Sequence, residues 1–206
     1  MRVEVDDFEI DFDKKMRREI EKMLGDLKKK APRVIAVAAN HTATEVRKLL
    51  AEAAHGEYTV KKKFVKFRRE MSIAKAKGKN LTATIKASGR PLELFKFDVK
   101  PRTVNPKRRK APHGRVLTAS GMKALQTGNL KAFIVQFASG HMTVAQRVGP
   151  ERLPLKVLYS PSVPTMLASE ENVFGPLKVQ INSIFREQCL IEIQKIINAK
   201  KAGDTK

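Results

Sequence analysis

The residues of this chain best equipped for chemistry are cations. Lys and Arg number 42 against 21 Asp and Glu, a formal net charge of +21. The excess is concentrated in two segments. In the first, Lys61, Lys62, Lys63, Lys66, Arg68, Arg69, Lys75, Lys77 and Lys79 are set against a single acid, Glu70. In the second, Lys100, Arg102, Lys107, Arg108, Arg109, Lys110 and Arg115 have no acid among them and are interrupted by Pro101, Pro106, Pro112 and Gly114. Ammonium and guanidinium groups at this density hold phosphates or carboxylates, and each phosphate contact adds salt dependence to binding. Charge alone admits nucleic acid, an anionic membrane or an acidic protein surface as the partner.

Other chemistry finds little support. The histidines, His41, His55, His113 and His141, are expected to be packed or surface residues rather than ligands or bases. Acids concentrate in residues 4–26, away from the central stretch where a cleft is expected, and Glu170 and Glu171 suit a helix N-terminus. There is no G-x-S-x-G elbow, phosphate-binding loop or glycine-rich dinucleotide fingerprint. The lone Cys189 rules out an intrachain disulfide and a Cys-based metal site. The expectation is a binding or structural protein, not an enzyme, with no catalytic residues, cofactor or metal. No apolar run reaches the ~18 residues that span a bilayer, and the acidic N-terminus lacks a signal-peptide pattern. The chain is therefore expected to be neither secreted by the usual route nor embedded in a membrane.

The elements that must position these cations follow from periodicity. Val3, Val5, Phe8, Ile10 and Phe12 alternate with acids, which suits a short strand or an extended arm over 1–12. Asp13 can cap a helix whose face is Met16, Ile20, Met23, Leu24 and Leu27, ending at Lys28–Lys30. Pro32 opens a second helix, with Ile35, Ala38, Ala39, Thr42, Val46, Leu49, Leu50 and Ala53 on its face and a stop near Gly56. Its many alanines favour close packing against another helix. Thr59 is a candidate cap for a short, basic third helix containing Phe64, Val65 and Phe67.

The period then changes to two. Leu81, Ala83, Ile85 and Ala87 read as a strand, and Gly89–Pro91 turns the chain. Residues 100–115 suit a basic hairpin. Ala132–Phe137 and Met142–Val148 form a strand pair about Ser139–Gly140. The four prolines of 150–165 imply an extended surface path. Leu177, Ile181, Ile184, Phe185, Cys189, Ile193, Ile196 and Ile197 stripe a closing helix, with a flexible tail over 199–206. The fold class is therefore α+β: N-terminal helices, a small antiparallel sheet with a hairpin, and a long C-terminal amphipathic helix, in one domain over 13–198. No helix-turn-helix, zinc finger or RNA-recognition aromatic pair is visible, so a nucleic-acid role would rest on backbone contacts.

From Gly89 onward the residues carry a resemblance. Gly89–Arg90–Pro91–Leu92 leads to Phe95. Lys131–Ala132–Phe133–Ile134, Ser139–Gly140–His141, Val144, Arg147–Val148–Gly149, Arg152–Leu153–Pro154–Leu155 and Ser160–Pro161–Ser162–Val163–Pro164 follow. This pattern resembles the prophage minor tail protein Z family of tailed bacteriophages, over roughly residues 30–197. Two places depart from it: 98–130 holds few family landmarks, and Ser160 stands where glycine is frequent.

The resemblance implies a structural subunit of the virion. It would be a minor tail or tail-completion protein, forming a homo-oligomeric ring at the head–tail junction or upper tail. It also implies as partners other copies of the chain, other neck and tail proteins, and packaged double-stranded DNA. The setting implied is the virion, and the host cytoplasm during assembly, with no membrane partner. Lys61, Lys62, Lys63, Lys66, Arg68, Arg69, Lys107, Arg108, Arg109 and Lys110 are the candidates for contact with DNA or an acidic partner. Pro161, Val163, Pro164, Ile181, Ile184 and Phe185 are the candidates for subunit contact. The alternative reading is a basic nucleic-acid-binding protein without enzymatic activity.

Overall fold

The computed structural model describes residues 4–10, 14–105, 107, 110–127 and 129–203. Helix α2 (Ala31–Glu57) is its axis, and one flank after another of this helix is covered. Val34, Ile35, Ala38, Ala39, Thr42, Ala43, Val46 and Leu50 are all buried. So many alanines let neighbouring backbones approach closely, which is why α4 (Phe174–Gly203) lies against α2 along much of its length. Ile181, Phe185, Cys189 and Ile193 of α4 enter the same core. Each such side chain removed from water contributes ~1.5–3 kcal/mol.

Helix α1 (Lys14–Leu24) adds Ile20 and Leu24 to this core. It ends at Gly25, whose φ of +53° is a left-handed conformation that favours glycine. A 3-10 turn over Gly25–Lys30 then leads straight into α2, so the triple lysine marks a joint between helices rather than a free end. Met23, expected on the apolar face, is half exposed.

Strands β1 (Glu4–Ile10), β2 (Met71–Ala74) and β3 (Ala83–Gly89) form a sheet in the order β1-β3-β2, both outer strands antiparallel to β3. Phe8, Met71, Ala83, Ile85 and Ala87 face the helices. The chain continues through β4 (Pro91–Glu93), β5 (Asp98–Lys100), β6 (His113–Arg115), β7 (Lys123–Ala124), β8 (Gln126–Thr127), β9 (Leu130–Gln136), β10 (Met142–Arg147), β11 (Leu155–Val157) and β12 (Tyr159–Ser162). The β9–β10 hairpin turns at Gly140, with φ +79°, and sits in the sheet order β11-β10-β9-β8. Leu94, Val99, Ala132, Ile134 and Val144 close a second, smaller core beneath it. The architecture is α+β, with N-terminal helices, small antiparallel sheets and a long C-terminal helix.

Three local expectations need correction. The basic third helix does not form: residues 61–70 make turns and a single 3-10 turn at Phe67–Glu70. Val65 and Phe67 are buried while Lys66 and Arg68 are exposed, and this alternation is incompatible with helical spacing. Thr59 caps nothing; its hydroxyl lies 2.8 Å from the Arg115 carbonyl, to which it donates, and accepts from the Asp98 amide. The proline-rich stretch is not wholly superficial either. β12 pairs with β4, and the short helix α3 (Val163–Leu167) is capped by the Ser162 hydroxyl and buried against β3. Helix α4 runs on through Gly203, into the segment expected to be a flexible tail. The Asp13 cap and the apolar positions Val3 and Phe12 lie outside the described residues.

Candidate cationic cleft and basic hairpin

The first basic segment is pinned to α2 by its two buried apolar residues. Phe67 is fully enclosed, and the His55 ring meets it edge-on at 4.7 Å. Because Val65 and Phe67 point inward, Lys66 and Arg68 project outward, where they meet cations from the solvent side of α2. Two adjoining concavities result. One, of about 480 Å³, is lined by Arg47, Lys66, Arg68, Arg69 and Met71. The other, of about 330 Å³, includes Lys48, Glu52, His55, Lys62, Lys66 and Arg68. They share Lys66 and Arg68 and form one cleft with Glu52 as its sole carboxylate.

None of the six cations in this cleft is ion-paired among the described residues. Arg47 donates from Nη1 to the Met71 carbonyl at 3.5 Å, while its Nε is buried without a partner. His55 Nδ1 is likewise buried and unpartnered. Burial, helped by the nearby Lys62 charge, pushes the His55 pKa below its ordinary 6.5, which favours the neutral imidazole at neutral pH. Cations, a neutral imidazole and one carboxylate equip this cleft to hold an anion.

Lys61, Lys62 and Lys63 are exposed on the turn leading into the cleft, with Lys63 lying 4.9 Å over the Phe64 ring. Arg47 and Lys48 escaped the sequence reading. Lys48 is exposed on α2 and Arg47 half-buried, but only the buried Phe67 fixes which turn of α2 the basic segment crosses.

The second basic segment is a hairpin arm. β5 and β6 pair antiparallel, with Asp98 opposite Arg115 and Lys100 opposite His113. Arg102 is spent on structure: it donates to the Phe95 and Phe97 carbonyls and stacks 4.2 Å over the Phe95 ring. Lys107 and Lys110 are exposed, and Asn105 turns the tip by accepting from the Lys107 amide at 3.0 Å. Arg108 and Arg109 lie outside the described residues. A groove of about 650 Å³ separates the arm from β9, with Lys110, Lys131 and Arg147 along it. The cleft and the arm are thus two separate cationic features.

The proposed subunit contacts divide sharply. Pro161 is exposed and Ile184 half-buried, whereas Val163, Pro164, Ile181 and Phe185 pack inside the chain's own core. The outward side of α4 carries exposed Val179, Leu190 and Ile191 instead. Cys189 is buried, which pushes its thiol up to about 11 and keeps it protonated at neutral pH. No group of three His, Cys, Asp or Glu among the described residues is placed to hold a metal. No helix among them is long and apolar enough to cross a membrane.

No curated protein and no solved structure matches the chain. Residues 14–199 match the family described as prophage minor tail protein Z (GPZ). That span takes in the helices, β2 to β12 and both cationic features. The chain therefore belongs to the prophage minor tail protein Z family, and its role is structural, in the tail of the phage virion alongside other tail proteins.

Proposed function

We propose that the protein is a non-enzymatic tail-completion subunit that assembles into a homo-oligomeric ring at the head–tail junction or upper tail, after synthesis in the host cytoplasm. The observation that carries this reading is the unneutralised cleft. Six cations gathered around one concavity without ion-paired partners among the described residues call for anionic neighbours. A structural tail protein meets two kinds, acidic protein surfaces and packaged DNA. In this reading the hairpin tip, with Lys107, Arg108, Arg109 and Lys110, faces DNA or an acidic neighbour in the neck. Pro161, Ile184 and the apolar outward side of α4 face other subunits.

A second reading, a free nucleic-acid-binding protein without enzymatic activity, draws on the same cations. Deleting the coding sequence from the phage and imaging the particles separates the two. The ring reading expects defective head–tail joining or shortened genome retention, restored by the supplied protein, which is then found at one level of the particle. Normal virions, together with tight monomeric binding to DNA or RNA, would favour the second reading.

A further inference from the structure

Strand β9 is fully paired on one side and only half paired on the other. At the hairpin turn the Phe137 amide donates to the His141 carbonyl at 2.9 Å. Counting back in steps of two, Val135 and Phe133 also bond to β10. Ala132, Ile134 and Gln136 therefore turn their N–H and C=O groups to the opposite side. There the Ala132 amide donates to the Leu125 carbonyl at 2.8 Å, and β8 pairs only with Leu130 and Lys131. On the far side of Leu125 the chain leaves β9 for β7, which pairs with β6. The outward backbone groups of Ile134 and Gln136 have no partner among the described residues.

The sequence does not protect this edge. Ala132–Gln136 holds no charge and no proline, and Phe133, Ile134 and Val135 favour strands. Natural edges are blunted by charges, proline or bulges, or they are covered, because a bare edge is a template for another strand. Here the groove of about 650 Å³ runs along it, with Asn129 to Gln136 on one wall and Val104 and Lys110 of the arm on the other. Ala132–Gln136 spans ~17 Å, the length of one short strand.

We propose that this groove receives an extended acidic segment of a neighbouring tail protein, which adds to β9 as a strand between it and the basic arm. The inference deepens the reading above, in which the arm meets an acidic neighbour, and it does not depend on the ring. Main-chain hydrogen bonds to Ile134 and Gln136 would supply affinity, and the side-chain environment would supply specificity. That environment is cationic: Lys110, Lys131 and Arg147 line the groove, and no acid is among its described lining residues. Arg147 is exposed without an ion pair among the described residues. The next position in register across from it is a second cation, Lys131. Like charges set opposite each other on one face of a sheet are unfavourable, and a carboxylate beside them offsets that cost.

DNA fits the edge less well. A phosphodiester backbone offers only acceptors, so it leaves the Ile134 and Gln136 carbonyls unmet, whereas a peptide strand meets donors and acceptors alike. A second copy is also the poorer occupant. Its β9 would bring another arm and another charge of +21 to the same groove.

The test places a photo-crosslinking amino acid at the exposed Gln136, in phage that depend on this copy and keep their titre. Adducts are mapped in purified particles by mass spectrometry. The expected adduct joins position 136 to an acidic segment of a different tail protein. An adduct to a second copy, an adduct to DNA, or no adduct would each overturn the proposal. Lys131→Glu with Arg147→Glu should abolish the adduct, and an undiminished yield would overturn the acidic partner. Gln136→Pro removes one outward donor and no bond to β10, so it should fail to restore plaque formation, while Gln136→Ala keeps the amide and should restore it. Full titre with Gln136→Pro would overturn the strand pairing. Circular dichroism of purified Gln136→Pro should match that of the unaltered protein; if it does not, the crosslink decides alone. Native mass spectrometry separates this inference from the ring. A monomeric unaltered protein sinks the ring and leaves the adduct to decide the pairing. Rings lost specifically in Gln136→Pro would assign the edge to a second copy and overturn the proposal.

Discussion

Arg115 donates from Nε to Asp98 Oδ2 at 3.0 Å, straight across the root of the basic hairpin. The two side chains are 35% and 27% exposed, so solvent screens the pair and its contribution is under ~1 kcal/mol. Its value is positional, since it sits where β5 and β6 begin to carry the arm away from the core. Asp98→Ala should lower stability in urea by less than ~1 kcal/mol, yet clearly speed proteolysis between residues 101 and 112. An unchanged cleavage rate would show that the ladder and Thr59 hold the root without the ion pair.

The tip of that arm is predicted to act through charge. Replacing Lys107, Arg108, Arg109 and Lys110 with Gln should leave the melting temperature within a few degrees and impair particle assembly or genome retention. If the tip touches phosphates, the salt dependence of DNA binding should weaken by ~0.9 per lost contact in the log–log slope. Unchanged titre and unchanged genome packaging would remove the arm from the functional surface.

Gly175 is a packing constraint in the first turn of α4. A Cβ built there would overlap the Glu170 carbonyl oxygen, a backbone atom that cannot rotate away. Gly175→Ala should therefore destabilise by ~1–3 kcal/mol despite the better helix propensity of alanine. Chemical denaturation measures this, and a neutral or stabilising result would mean that the 169–174 turn relaxes freely.

His55 predicts a pH effect of defined sign. Its folded pKa lies below the ordinary 6.5, because burial, then Lys62, disfavours the imidazolium. Above that value both states are neutral and the contribution to stability is complete. As pH falls below 6.5, the unfolded chain takes up a proton that the folded one resists, and stability declines. His55→Gln should flatten the part of the stability profile just below pH 6.5, followed by thermal unfolding. An identical slope in both proteins would assign the acid sensitivity elsewhere.

How much was legible in the sequence follows from the range of the interactions. Helices α2 and α4 and strands β3, β9 and β10 declare themselves because one buried stripe decides each of them. The segment 61–70 misleads, since its apolar residues fit either a short helix or an anchored turn. Only contact of Phe67 with His55 and α2 decides between them. Val163 and Pro164 read as a surface path from their prolines, but the Ser162 cap and burial of α3 draw them inward. The six-cation cleft was half visible. The loop cations stood out as a run, whereas Arg47 and Lys48 looked like ordinary solvent-face residues until the fold set them opposite.

The central claim is that this chain is a ring subunit of the phage tail. Negative-stain imaging of the purified, full-length protein, with native mass determined at low and physiological salt, tests it most directly. The account predicts closed rings of a single copy number. Strictly monomeric protein at every concentration, retaining tight salt-sensitive binding to DNA or RNA, would contradict it.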